Sequence, residues 1–268
     1  MRKLPLLSAI LFISVFSLFS QDSKFRFGLR IAGQPSWLRS NNLNKVSPDG
    51  TVFGWGFGLV MDWRLTDVAY FSTGIGGDFE GGFQKFGDSL FYVVDKEDNI
   101  IEYNNVSLNS SNNSTFMLQR RELQTTCVTI PLILKLCTKE IGGFKYFGEF
   151  GGSLGFLVKT RATDEVQTIF KNGVFQSYLP NTREDVNPYN ATIPIRLGLN
   201  VGIGTEYTLS GSTNAFASIN YIHQFFNTYW ESSDYYARYI RSNNSKLETN
   251  GYLSAYSSCV QINLGIMF

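Results

Sequence analysis

The chain has 268 residues, a formal net charge of +1 and 43% hydrophobic residues. This near-neutral charge excludes the general basic field that attracts nucleic acid and the acidic field that attracts cationic partners. An aromatic content of 15%, with 25 glycines and a single histidine, favours β-strands over helices.

The first twenty residues predict a signal peptide for export. Arg2 and Lys3 supply positive charge, the stretch from Leu4 to Phe19 is apolar, and Ser20 is a small residue at the expected cleavage position. The mature chain is then expected to begin near Gln21. A membrane-anchoring helix is the alternative, but the apolar stretch contains Pro5 and is short for a bilayer span.

Beyond the signal, apolar residues recur at every second position in eight stretches, which indicates β-strands with one apolar face. The contrast is clearest at 51–64, where bulky apolar residues alternate with glycines and Asp62. The predicted strands are Lys24 to Ala32, Thr51 to Arg64, Val68 to Phe79, Leu123 to Cys137, Phe144 to Lys159, Thr192 to Tyr207, Ala215 to Phe226 and Tyr256 to Phe268.

The seventh strand is the most ambiguous, because both of its faces carry aromatic residues. We assign Ala217, Ile219, Tyr221 and Phe225 to its outer face. Aromatic residues near the strand ends are expected to form the two girdles that membrane barrels place at the lipid interfaces. The candidates are Trp37, Trp63, Tyr70, Tyr146, Tyr207, Tyr229 and Trp230.

Short and long links alternate strictly between the predicted strands. The short ones lie near 66–67, 138–143 and 208–214, and the long polar ones at about 38–50, 80–122, 160–191 and 227–251. This asymmetry is typical of outer-membrane barrels and gives no advantage to a soluble sandwich. Within the second long link, residues 91–103 are expected to add a hairpin beyond the membrane.

These patterns predict an all-β fold, an eight-stranded antiparallel up-and-down transmembrane β-barrel. It would occupy residues 21–268, lie in the cell outer membrane, and carry the long links as extracellular loops. Closure is required because every backbone donor and acceptor within lipid must be paired inside the protein.

The opposite face of the strands collects charged residues of both signs. In an eight-stranded barrel the lumen is only wide enough for side chains, so we expect these residues to form an ion-pair and hydrogen-bond network rather than an open pore. The alternative is a narrow gated conduit for small solutes or ions. The network is predicted to comprise Arg26, Arg30, Asp62, Lys135, Glu149, Arg196 and Glu206, with Asp78, Lys145 and Lys159 on the same face.

The sequence predicts no catalytic residue, cofactor or metal site. A lipid hydrolase on the barrel would have to use His223, the single histidine, yet no serine lies two residues away on its face. Gly-x-Gly runs are not followed by the helix that a dinucleotide site requires. Cys127, Cys137 and Cys259 form no close pair of the kind that binds zinc.

One strand pair resembles a known family. The segment from Ile130 to Lys135, a short turn, and then 144–156 with Gly148, Gly151, Gly152 and Gly155 resembles the PorT-like outer-membrane barrel proteins of Bacteroidota. The similarity of layout extends over nearly the whole mature chain. It implies an accessory role in type IX secretion, with which the family's namesake is associated.

The C-terminal strand, which ends in Phe268, is similar to the terminal signal read by the barrel assembly machinery. That similarity implies the machinery as a transient partner during biogenesis. The leading hypothesis is therefore a non-enzymatic structural or binding component of the cell envelope, embedded in outer-membrane lipid. Its long loops are expected to bind an envelope or secretion protein, and no nucleic acid.

Overall fold

A computed structural model describes residues 25–41, 43, 45–102, 112–172, 174–230, 234–239, 247–249 and 253–268. The predicted signal peptide at 1–20 lies outside these residues. The described strands are β1 (Phe25–Arg39), β2 (Val46–Pro48), β3 (Thr51–Arg64), β4 (Ala69–Val94), β5 (Ile100–Ile101), β6 (Ser114–Cys137), β7 (Phe144–Lys171), β8 (Val174–Val186), β9 (Ile195–Ser210), β10 (Thr213–Gln224), β11 (Tyr236–Tyr239), β12 (Leu247–Thr249) and β13 (Tyr256–Met267), with one 3-10 turn at Tyr189–Ala191.

Eight of these strands form a closed antiparallel ring. The order around it is β4, β3, β1, β13, β10, β9, β7 and β6, and β6 pairs back with β4. The first and last strands pair along most of their length, from Gly28 opposite Met267 to Arg39 opposite Tyr256. The predicted all-β fold with antiparallel strands is confirmed, and the ring leaves its members no free edge.

Three tight links lie at one end of the ring. They join Arg64 to Ala69, Cys137 to Phe144 and Ser210 to Thr213. The second of these turns contains Gly142 and Gly143, with φ of 60° and 84°, a left-handed conformation that glycine adopts without strain. The predicted short links are therefore turns, and the other connections all leave from the opposite end.

The predicted long loops contain far more strand than expected. β4, β6 and β7 have 26, 24 and 28 residues, more than twice the roughly 9 to 11 that cross a bilayer. Much of 80–122 and 160–191 therefore continues the barrel strands, and describing these segments as loops was wrong. Their ladders persist through register shifts between Lys85 and Leu90 and between Leu118 and Arg120, which interrupt the alternation in the sequence.

Shorter strands widen this extension into a sheet, which we call the outer sheet. β2 and β11 pair with β4, β8 returns along β7, and β12 pairs with β11. β5 pairs with the end of β4, with Val93 opposite Ile101, which confirms the hairpin expected within 91–103. One end of the ring thus carries a folded β-structure.

The exterior of the ring is a belt of exposed apolar side chains. On β9 the belt runs from Ile195 through Val201 to Ile203, which is 71% exposed. Other strands contribute similar residues: Leu29, Ile31, Trp55, Phe57, Leu59, Phe71, Ile75, Leu132, Leu134, Phe150, Ile219, Leu264 and Ile266. A soluble protein rarely exposes so continuous an apolar surface. No helix in the described part of the chain is long and apolar enough to cross a membrane.

The outer faces of individual strands largely follow the sequence pattern. On β10, Ile219 and Tyr221 are exposed while Ser218 and Asn220 are buried, and Phe225 directly after the strand is also exposed, which confirms the register expected for the seventh strand. Two girdle assignments were wrong. Tyr229 is fully buried at the outer end of the barrel, and Tyr70 faces inward, with its ring 4.5 Å from the Arg26 guanidinium.

Candidate functional site

The inner end of the lumen holds four charged side chains in mutual contact, here called the inner ion network. Arg26 lies 2.8 Å from Asp62 and 2.9 Å from Glu206. Lys135 contacts the same two carboxylates, at 3.2 Å from Asp62 and 2.5 Å from Glu206. Two cations and two anions therefore balance one another where water is largely excluded.

The middle of the lumen is a polar layer around Arg30. Its guanidinium lies 3.4 Å from Asp78 and donates a hydrogen bond of 3.0 Å to Asn263. Glycines make the space: a Cβ on Gly76 would lie 2.9 Å from the Arg30 guanidinium. Inward-facing glycines such as this one therefore leave room for the lumen side chains.

Glu149 reaches the same layer, and among the described residues its hydrogen-bond partner is an amide rather than a basic side chain. It accepts a hydrogen bond of 2.5 Å from Asn220, which also donates to Asn200 at 3.0 Å. One side-chain amide therefore holds this carboxylate at a position where the sequence pattern indicated an ion pair.

Arg196 forms the third charged contact, with Glu80 near the outer end of the lumen. Glu80 also accepts a hydrogen bond of 3.3 Å from Ser257. The sequence prediction missed Glu80 because it ended the strand at Phe79. The signal was present, since Asp78, Glu80 and Gln84 continue the same parity and all three are buried.

Apolar side chains cover the outer end of the lumen, and we call this group the apolar cap. It joins residues of the ring, the outer sheet and the connections that precede β9 and β13. Tyr229 lies among them, and its hydroxyl is 3.4 Å from Gln84. Members from widely separated parts of the chain include Leu38, Leu123, Ala162, Ala191, Tyr229, Leu253 and Ala255.

Between the inner ion network and the cap lies a cavity of about 70 Å³, enough for a few water molecules. Arg30, Lys135, Glu149, Asn200 and Asn263 are among the residues that line it. Apart from this cavity, the lumen is a core filled by ion pairs and hydrogen-bonded amides.

Lys145 and Lys159 differ from the other residues assigned to the lumen. Lys145 lies at the inner mouth, partly exposed, 3.6 Å from Glu140. Lys159 was wrongly placed in the lumen, since it lies exposed on the outer surface. A register shift, with Thr126 opposite Lys159 and Cys127 opposite Leu157, reverses the parity of β7 at this point.

His223 lies near the outer end of β10 beside aromatic residues. Its Nδ1 is 3.3 Å from the Tyr221 hydroxyl, and its ring packs edge-on against Phe225 at 5.5 Å. Among the described residues, no group of three His, Cys, Asp or Glu side chains is arranged to hold a metal ion.

The outer sheet contains one fully buried ion pair. Arg121 donates to both carboxylate oxygens of Asp164, at 2.7 and 2.6 Å, and to the Tyr236 hydroxyl at 2.6 Å. Burial alone would lower the pKa of Arg121, but the Asp164 carboxylate raises it above its ordinary value. Burial raises the pKa of Tyr92 and of Tyr236, so both phenols are neutral at physiological pH.

The far end of the outer sheet exposes a cluster of apolar side chains, here called the apolar tip. It consists of Val174, Phe175, Tyr178 and Leu179 on β8, each at least half exposed. The Phe175 ring lies 6.1 Å from that of Tyr178. The described residues pair β8 only with β7, so no described strand lies along its second edge.

Phe268 ends the chain on the outer surface at the end of the barrel with the tight turns. Its backbone N–H donates a hydrogen bond of 2.6 Å to the Phe27 carbonyl, and its side chain is 49% exposed. The terminal residue therefore extends the ladder between β13 and β1.

No protein-family model matches the chain, and no curated protein matches it. Several solved structures are similar at low identity. Neisserial surface protein A shows 11% identity and a TM-score of 0.36, with 92% of this chain and 98% of that chain covered. A major outer membrane protein from Thermus thermophilus shows 12% identity and a TM-score of 0.40, with 91% of this chain and 99% of that chain covered. OprG from Pseudomonas aeruginosa shows 10% identity and a TM-score of 0.38, with 92% of this chain and 99% of that chain covered.

The architecture rests on the strand register and on the two faces of the ring. An apolar exterior around a charged interior is the arrangement of a barrel in lipid. Short turns at one end and long extensions at the other are the asymmetry of outer-membrane barrels. The chain is an outer-membrane β-barrel whose extended side carries the outer sheet.

Proposed function

We propose that this protein is a closed, non-enzymatic barrel that anchors a protein-binding platform in the outer membrane. The observation that carries the proposal is the apolar tip, held away from the lipid by β7 and β8. Phe175 and Leu179 are 54% and 55% exposed there, at a sheet edge that has no described strand beside it. Exposed apolar residues next to an open edge are the features to which a partner strand adds.

A protein of the cell envelope is the occupant that we propose for this platform. Because the sequence resembles PorT-like proteins, type IX secretion is the first assembly in which to look for it. We also propose that the terminal strand ending in Phe268 is the signal for the barrel assembly machinery.

Site-specific photo-crosslinking in intact cells tests the binding role. A crosslinking residue at position 175 should give a discrete adduct, and the adduct should be lost when Leu179→Asp is added. The same residue at position 209, exposed at the end of β9 at the other end of the barrel, is the matched control. Absence of an adduct at 175, or an adduct that persists with Leu179→Asp, would contradict the proposal.

Conduction through the lumen is the alternative function. The ion pairs and the apolar cap occupy the route that a solute would take, so planar-bilayer recordings should show no resolved channel steps. Resolved steps that change in Arg196→Gln would favour the conduit and replace the anchoring role.

A further inference from the structure

A groove of about 330 Å³ lies on the outer surface of the barrel, at the level where the apolar belt ends. Aromatic side chains of β3 and β4 form one wall, basic side chains of β7 form the other, and β6 lies between them. The residues that carry the argument are Phe53, Trp55, Phe79, Thr126, Lys159 and Arg161.

The basic wall exists because of the bulge in β7. Leu157 and Thr160 are both buried, and the two residues between them, Val158 and Lys159, both lie exposed. Thr126 pairs with Lys159 and Cys127 with Leu157, so Val158 is the additional residue. A bulge of this kind re-aims side chains, and here it directs Lys159 and then Arg161 to the lipid-facing surface.

The groove spans the boundary between apolar and polar surface. Below it, Val128 and Phe156 are paired residues of the belt. On its polar side, Gln124 lines the groove and Glu122 follows above it. Trp55 and Phe79 stack at 4.2 Å on the apolar side of the boundary. Aromatic side chains with cations directly above them match the depth at which lipid headgroups meet acyl chains.

We propose that this groove binds a phosphate-bearing lipid of the outer leaflet. Lys159 and Arg161 hold the phosphate, and an acyl chain lies against Trp55 and Phe79. A protein partner is disfavoured because the aromatic wall belongs to the lipid-covered belt.

The local charges leave the two cations available. Among the described residues Lys159 has no carboxylate partner. The Arg161 guanidinium lies 3.7 Å from Asp185, which is 88% exposed, so this contact is weak and screened by salt. Glu80 also borders the groove, but its carboxylate pairs with Arg196.

Native mass spectrometry of the purified full barrel tests the proposal. The probes are a diphosphoryl glycolipid of the lipid A type and its dephosphorylated form. The Lys159→Gln/Arg161→Gln double variant should bind the phosphorylated lipid on the order of tenfold more weakly, since each cation contributes to phosphate attraction. Trp55→Leu should weaken binding of both probes, because it removes the acyl contact.

Matched controls lie at the other end of the barrel. Lys139→Gln removes a cation from a tight turn, and Trp63→Leu removes an exposed aromatic, and both should leave binding unchanged. Heat-dependent gel mobility verifies that each variant is folded. Equal binding of the two probes by wild type, or unchanged binding in the double variant, would overturn the proposal. So would saturation by inorganic phosphate without retained lipid, since a free anion would then be the ligand.

Discussion

The lumen and the outer sheet are built by the same strands but have opposite interiors. Within the membrane, β4, β6 and β7 turn charged and amide side chains inward, where Asp78 and Lys135 are buried. Beyond it, the same strands turn Phe86, Leu118 and Val166 into the apolar cap. The outward-facing side of these strands passes from lipid into water beyond the membrane. Their inward-facing side changes from polar to apolar at the same level.

This contrast shows which interactions each region depends on. The lumen core consists of charges that stabilise the barrel only as complete pairs, because a buried charge without its partner is costly. The outer sheet depends on apolar packing, with Arg121 and Asp164 as its buried ion pair. We therefore expect a substitution that destabilises one region to leave the other folded.

Removing one charge from the inner ion network should have the largest effect. In Asp62→Asn, Arg26 and Lys135 keep only Glu206 as a carboxylate partner, and we expect a loss of about 3 to 5 kcal/mol in unfolding free energy. Denaturant titration of the barrel in micelles measures it. The Lys135→Met/Glu206→Gln double variant should lose less than the sum of its single variants, and strict additivity would contradict a coupled network.

Arg121→Met should destabilise the outer sheet by about 3 kcal/mol, since Asp164 would remain buried without its cation. Limited proteolysis should then cut the outer sheet faster, while the barrel keeps its resistance to SDS. Arg120→Met is a neighbouring control, because that side chain is 36% exposed and its ion pairs lie at the surface. Loss of SDS resistance in Arg121→Met would show that the two regions are one cooperative unit.

A charged substitution on the belt should lower the unfolding free energy more than the same substitution on the apolar tip. Val201 lies midway along the exposed face of β9, so Val201→Arg should destabilise the barrel by about 2 kcal/mol. Phe175→Arg should have little effect on stability, because the tip is in water. Equal effects in a lipid-vesicle unfolding assay would contradict the position assigned to the membrane.

The smallest effect should appear at high pH in the outer sheet. Burial raises the pKa of Tyr92 and Tyr236 above the ordinary value of 10.0, so the unfolded chain releases these protons first. Stability is therefore complete below pH 10 and falls as the pH rises further. A tyrosinate absorbance titration should show a late phase that shrinks in Tyr236→Phe but not in Tyr178→Phe.

Strict alternation was enough to predict the ring and the inward placement of Arg26, Asp62, Lys135 and Glu206. It could not identify the partners, because pairing depends on registers between strands far apart in sequence. Glu149 illustrates the limit, since its parity is correct but its neighbour is Asn220.

The outer sheet escaped prediction for local reasons. Gly81 and Gly82, followed by Gly87, have the composition of turns, yet they continue a strand whose ladder spans the shift after Lys85. Arg121 lies in a charged run typical of a solvated surface, yet it keeps the inward parity of Leu123 and Thr125 on the extended β6. Lys159 was misplaced for a different reason, because a bulge reverses the parity of β7 without a signal in composition.

The central claim is that eight strands close into a barrel that spans the outer membrane. Electrophoresis of the detergent-extracted protein in SDS, with and without boiling, tests it most directly. A closed barrel should resist SDS until heated, so the unboiled sample should migrate at a different position from the boiled one. Identical mobility, with the protein recovered in the soluble periplasmic fraction, would contradict the claim.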